Sequence, residues 1–300
     1  MQNITISTTC MFSLLFFCSK EPIFTMSTNS KNTSTNGEKS PTTEQQQKID
    51  EVRSAVSPLP GKLNSYCSDA LISRYLQTQN WNVQKATKML RDSLKWRSEY
   101  KPDEIQWEDV ATEAATGKIC RSTSVDRKGR LVLLMRPCRQ NSSDVAGQMK
   151  YLVYCIENAI LNMPPDEEQM IWLVDFWNFK LSNISMKVAK ELAHIVQNYY
   201  PQSLGVAILY NPPWIFEQFY KMVKPFLEAR IRDKVKFVYA NDSSTMKIME
   251  DLFDMEQFEG SLSEKAEDCF DIKTYAQRMK EDDEKRRSTI AEGTDKGEPI

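Results

Sequence analysis

Four short, nearly continuous apolar runs, each separated from the next by a stretch of helical periodicity, constrain this chain more than any other feature. The runs are Leu131–Met135, Ile171–Phe176, Gly205–Tyr210 and Val235–Tyr239. Runs of this length, unbroken by polar residues, suit strands buried on both faces. Between and after them lie Val145–Leu161, Ser185–Tyr200, Pro213–Lys224 and Ser243–Phe253, which read as helices. The first is apolar nearly all round and so predicts burial on more than one side. In the second, Val188, Leu192, Ile195, Val196 and Tyr199 form the inner stripe. Strands alternating with helices predict an α/β fold with a largely parallel sheet.

A different pattern precedes this alternation. Residues 1–43 hold one short apolar run, Met11–Phe17, and then a Ser/Thr/Asn/Lys stretch without aromatics between Ser27 and Thr43. The run is far below the roughly 20 residues of a membrane-spanning helix, and no Lys or Arg precedes it as in a secretory signal. The whole segment reads as a disordered extension, of which the first 25 residues lie upstream of a second possible start at Met26. Residues 44–103 read as a small all-helical module. One helix runs from Glu44 to about Val56 and is broken at SPLPG; Ser68 and Asn82 stand as N-caps of two more. Leu71, Ile72, Tyr75 and Leu76 share one face of the second, and Val83, Ala86, Leu90 and Leu94 recur along the third. Lys101–Pro102 ends it. Residues 104–263 hold the strands and helices above. From Glu264 the periodicity fades; Ile272–Met279 reads as a helical turn or two, and residues 264–300 as a largely disordered tail.

The scarce residues narrow the chemistry. His194 is the single histidine, so a site with two imidazoles is excluded. The nine glycines form no phosphate-cradling or dinucleotide loop and no nucleophile elbow. The seven cysteines never fall into a C-x-x-C pair, and an odd, scattered set suits a reducing compartment. A formal net charge of −2 lacks the basic excess of a general nucleic-acid binder. No catalytic constellation and no metal site emerge.

Several segments together resemble a known family. LKWRSEY (Leu94–Tyr100), the strand ending at Asp175, and Gln197–Val238 with its YYP, its N-x-P after a strand, its KPFL and its next strand appear in order. This arrangement resembles the CRAL-TRIO domain family, which includes yeast-type phosphatidylinositol transfer proteins and plant-type members. The resemblance spans roughly Cys67–Ser263. It implies a sheet that floors an apolar pocket, closed by a movable gate helix that opens at a membrane. Here the gate would carry Trp214, Phe216, Phe219, Tyr220, Val223, Phe226 and Leu227, and Phe176, Val196, Tyr199 and Tyr210 would wall the pocket. Read from the residues alone, that apolar arc equally suits a helix sandwiched in the core.

For the lipid headgroup the resemblance implies five positions. Lys234 keeps the family's lysine. Gln202 stands for a glutamate, Ile231 for a threonine, and Gln79–Asn80 for a basic pair. Gln and Asn bond hydroxyls and phosphate oxygens but bring no positive charge. Two further departures are Asn178, where the family's turn carries Gly, and Phe258–Glu259–Gly260, which lacks one glycine of a Phe-Gly-Gly. Asn is the residue best suited to follow Gly into positive φ.

Individual residues read as follows. His194 lies off the inner stripe of its helix and reads as a surface or partly packed side chain. Cys155 reads as a buried thiol, and Asp166–Glu167–Glu168 as a solvated loop. Asp175, at a strand end, is suited to bond the amides of the following turn. Arg230, Arg232 and Lys236 flank Lys234 as a basic face. The resulting expectation is a monomeric lipid carrier without enzymatic activity or cofactor, cytoplasmic and peripherally membrane-associated. It would hold a phospholipid, phosphatidylinositol among the candidates, and exchange it at membranes. The alternative is a lipid-dependent adaptor that presents a surface to a protein partner and transfers nothing.

Overall fold

The computed structural model describes residues 41–165, 167–180, 185–223, 233–256 and 270–294. The expectations for residues 1–40, Asp166, Phe226, Leu227, Arg230, Ile231, Arg232 and Phe258–Gly260 lie outside the described residues.

The helical module opens with α1 (Thr43–Val56), where Thr42 and Gln45 form a reciprocal capping box. A short α2 (Gly61–Tyr66) occupies the break at the prolines. Ser68 Oγ accepts from Leu71 N to start α3 (Asp69–Thr78), and Asn82 Oδ1 accepts from Lys85 N to start α4 (Val83–Tyr100). Lys101 ends α4 in the left-handed region at φ 53°, immediately before Pro102. Ile49, Val52, Leu71, Ile72, Tyr75, Leu76, Ala86 and Leu90 make the module's core, and the buried Tyr75 hydroxyl is satisfied by Ser93 Oγ at 2.7 Å.

After α5 (Trp107–Ala114) comes a five-stranded sheet in the order β1 (Ile119–Val125), β2 (Leu131–Met135), β3 (Met170–Asp175), β4 (Leu204–Tyr210), β5 (Val235–Val238). β1 is antiparallel to β2; the other neighbours are parallel. The four apolar runs are the four parallel strands. β1 is an addition to the sequence expectation, since ICRSTSV is mostly polar and shows no apolar run. The β1–β2 turn closes on Asp126, whose Oδ1 accepts from Lys128 N and Arg130 N, with Gly129 at φ 81°. The connecting helices are α6 (Val145–Leu161), α7 (Met186–Tyr199), α8 (Trp214–Val223) and α9 (Ser243–Leu252).

The last segment differs from the expected tail. Ile272–Thr294 is one long helix, α10. Its Tyr275 hydroxyl accepts from Arg121 N at 3.1 Å, Asp282 pairs with Arg121 and accepts from Asn158 at 3.0 Å, and Asp283 accepts from Trp107 N at 2.7 Å. The acidic and basic run looks solvated in sequence, but Asp282, Asp283 and Arg286 are buried; Arg286 donates to Asp283 Oδ1 at 3.0 Å and to Ile105 O at 3.1 Å.

The two sheet faces are unequal. Cys120 pairs with Leu134, and Leu134 with Leu173, so these share the face that α6 covers through Tyr151 and Cys155. On it, Ile171, Leu173, Ile208 and Val238 have 0% exposure. On the opposite face Leu133, Trp172 and Leu209 are buried, while Val174, Ala207, Val235 and Phe237 are only half-buried.

Candidate functional site

The half-filled face is the floor of the site. Strand register places Trp172, Val174, Ala207, Leu209, Val235 and Phe237 on it, because each is an even step or a direct partner from the next. α8 crosses this floor. Phe216 stands 5.1 Å from Phe176 and 6.4 Å from Phe237 between ring centroids, and Tyr220 stands 4.8 Å from Phe237. Phe179 meets Phe176 edge-on at 5.2 Å. The helix therefore rests on the sheet through a loose row of aromatic rings, while its first turn turns outward. Trp214 is 69% exposed and Ile215 40%. The side chains of Phe219 and Val223 lie outside the described residues.

The entry to α8 is held by the backbone. Asn211, at φ 50°, donates its N–H to Val238 O at 2.8 Å and accepts from Ala240 N on its side-chain oxygen at 2.9 Å. Asn tolerates this left-handed conformation, and Pro212–Pro213 then start the helix stiffly. Burial and the neighbouring Glu217 carboxylate on α8 push the Tyr239 phenol up. The asparagine for glycine at the turn after β3 follows the same logic: Asn178 sits at φ 49°.

The polar end lies where β4 and β5 begin. Lys234 Nζ donates to Leu204 O at 2.7 Å and to Gln202 Oε1 at 3.3 Å. Two of the five headgroup positions thus meet. Gln79 and Asn80 occupy the α3–α4 turn, where Gln79 Nε2 lies 3.3 Å from Met89 Sδ and Asn80 adopts φ 51°. α3 reaches the sheet domain through Arg74, 3.7 Å from Glu168, so Glu168 is an ion-pair partner as well as part of a loop.

The four wall positions divide. Phe176 belongs to the aromatic row beneath α8. Tyr210 is a direct partner of Val238 and lies on the packed face, with its phenol pushed up by burial and by Asp175. Val196 packs on the main core. Tyr199 stacks flat on Trp96 of α4, ring centroids 4.2 Å apart, and so joins the helical module to α7 instead of lining the floor. The floor residues Trp172, Ala207, Leu209, Val235 and Phe237 were not anticipated. Their signal was the two-residue alternation within each apolar run, which gives β4 one set of positions per face.

The remaining readings fall into place. Asp175 Oδ1 accepts from Trp177 N at 3.0 Å, and its other oxygen lies 3.6 Å from Arg136 Nε. His194 is exposed, its ring bonded to Asn198 at 3.0 Å and near the Tyr199 hydroxyl at 3.3 Å. Cys155 is buried, and burial pushes its thiol up, away from nucleophilic reactivity. Among the described residues no group of three His, Cys, Asp or Glu is placed to hold a metal ion, and no helix is long and apolar enough to cross a membrane.

A five-stranded, mostly parallel sheet with one face packed by α6 and the other crossed by the aromatic α8 defines an architecture that known proteins share. Residues 115–262 match the family model of the CRAL/TRIO domain. Among curated relatives, a CRAL-TRIO domain-containing protein of Schizosaccharomyces pombe is 35% identical over 167 residues, covering 55% of this chain and 16% of its own length. The phosphatidylinositol transfer protein PDR17 of Saccharomyces cerevisiae is 32% identical over 177 residues, covering 55% of this chain and 50% of its own. The chain thus spans half or less of the length of these relatives. The crystal structure of Sfh5 superposes with a TM-score of 0.56 at 16% identity, over 72% of this chain and 85% of that one, which is a likeness of fold.

Proposed function

We propose that this chain holds a lipid between the half-filled sheet face and α8, and exchanges it at membranes. The observation that carries the reading is the contrast between the two faces. In a sheet with helices on both sides, central β4 residues should be buried on both faces. Here Ile208 is fully buried while Ala207, its neighbour on the other face, is not. Space over an apolar floor suits acyl chains, at about 0.8 kcal/mol per methylene removed from water. α8 is the gate, its exposed Trp214 and Ile215 the part that meets the bilayer. Lys234 and Gln202 form the polar end, and a headgroup oxygen would take over the Lys234 donors that now serve Leu204 O and Gln202 Oε1. With one cation among the five headgroup positions, the cargo is a phospholipid held with modest headgroup selectivity. The protein acts without cofactor or catalysis, as a monomer in the cytoplasm that visits membrane surfaces.

Mass spectrometry of lipid co-purifying with the full chain, together with transfer between donor and acceptor vesicles, tests the reading. Bound phospholipid and measurable transfer are the expected results. Bound lipid without transfer would favour a lipid-dependent adaptor, the role suited to the missing headgroup charges. Neither lipid nor transfer would refute the proposal.

A further inference from the structure

Among the described side chains of the floor beneath α8, one carries a polar group. Leu133, Val174, Ala207, Leu209, Val235 and Phe237 are all apolar, and among them stands the indole N–H of Trp172. Trp172 is 8% exposed, and its Nε1 is buried with no hydrogen-bond partner among the described residues. A buried tryptophan N–H usually finds a hydrogen-bond partner. A buried N–H without an acceptor is costly, and an unmet donor of this kind calls for an explanation.

The register gives one. Trp172, Ala207 and Val235 are direct partners across β3, β4 and β5. Trp172 therefore stands two strand spacings, about 10 Å, from the residue that follows Lys234. Resting on the proposed lipid function, with the headgroup at Lys234 and Gln202, the next polar atoms of a glycerophospholipid toward the apolar floor are its ester carbonyls. We propose that Trp172 Nε1–H donates a hydrogen bond to an ester carbonyl of the bound lipid, and so selects ester-linked glycerolipids. The indole is a donor only, and among the oxygens at this depth of a glycerolipid an ester carbonyl is a much stronger acceptor than an ether oxygen. The ring keeps the floor apolar, and the N–H marks how deep the glycerol may sink. The carbonyl would satisfy this buried donor.

Two vesicle preparations test this, one containing labelled diacyl phosphatidylinositol and the other its dialkyl ether analogue, both in the same phosphatidylcholine background. The full chain should extract the diacyl lipid about tenfold better, a difference of ~1.4 kcal/mol, the size of one hydrogen bond. Trp172→Phe, which keeps a ring and removes the donor, should bring the ratio near one. The Trp172 indole N–H resonance of the unmodified chain should move downfield on loading with the diacyl lipid and stay in place with the ether. That reading stands even where the variant fails to fold. Equal extraction of both lipids by the unmodified chain overturns the inference and leaves the lipid function intact. So does a variant that keeps the preference, or an indole resonance indifferent to the ester. Extraction of neither lipid overturns the lipid function, and this inference with it.

Discussion

Replacing Glu157 by alanine should loosen the helical module from the sheet domain. Arg97 on α4 and Glu157 on α6 form a two-point ion pair, Nη1 to Oε1 at 2.8 Å and Nη2 to Oε2 at 3.2 Å. The side chains are 7% and 10% exposed. The Tyr200 hydroxyl donates to the same carboxylate at 2.6 Å, and the guanidinium lies 4.1 Å over the Tyr66 ring. Burial alone would favour a neutral Arg97; the Glu157 carboxylate outweighs it and keeps the guanidinium firmly charged. Glu157→Ala leaves that charge buried without its counterion and also strands a phenolic donor. Breaking a buried pair in this way costs roughly 3–5 kcal/mol, a large share of the 5–15 kcal/mol typical of a whole domain. Urea unfolding followed by circular dichroism and by tryptophan fluorescence measures it. Trp96, stacked on Tyr199 at the same junction, reports the module's release. A loss of that size, or an early transition seen by fluorescence, is the expected result, and an Arg97→Met/Glu157→Leu double variant should recover most of it. A cost below about 1 kcal/mol, the value of an exposed pair, would refute the view that this contact holds the two parts together.

Three other outcomes follow from the same geometry. Trp214→Ala should leave unfolding within about 0.5 kcal/mol of the parent, since the ring is mostly exposed, yet weaken vesicle co-sedimentation about tenfold through lost apolar burial. Lys234→Ala should lower extraction of anionic phospholipid several-fold while sparing zwitterionic lipid, as a comparison of the two in the vesicle assay would reveal; equal losses would assign Lys234 to the sheet edge alone. Asp69 is held below the ordinary carboxylate range by hydrogen bonds from Arg53 and Gln46, and Asp109 by the Gln106 N–H, aided by Lys150. For a depressed carboxyl the stabilisation is complete above the unfolded value near 4 and is lost as pH falls through the folded value. Denaturation midpoints should therefore drop below about pH 4, and Asp69→Asn should flatten that decline.

The parallel strands were legible because each is an uninterrupted apolar run, and two helix starts because Ser68 and Asn82 are strong capping residues. β1 was not, since an edge strand needs one buried face at most, and Cys120 is its one buried residue. α10 was hidden for a related reason. Its contacts are made largely by charged groups that find partners far away in the chain, and charge without a visible partner reads as solvent. At the site, the resemblance suggested Tyr199 and Tyr210 as wall residues, whereas facing depends on register. Tyr210 sits one residue beyond Leu209, and a single step along a strand reverses the face. Lys234 and Gln202 were reachable from the family resemblance; that Gln202 takes φ 63° beside the lysine is visible only in three dimensions.

The contacts of α10 have a bearing on how the chain is made. Trp107 N bonds Asp283 and Arg121 pairs with Asp282, partners 176 and 161 residues apart. The flank of α5, β1 and α6 therefore waits for the far end of the sequence before its buried polar groups are satisfied. While the polypeptide emerges from the ribosome, Trp107, Tyr154 and Arg121 stand uncovered for most of synthesis. Contacts of such long separation slow folding and prolong exposure of incomplete surfaces. A nascent chain halted before residue 272 should accordingly remain protease-sensitive and chaperone-bound, and acquire resistance abruptly once α10 is released.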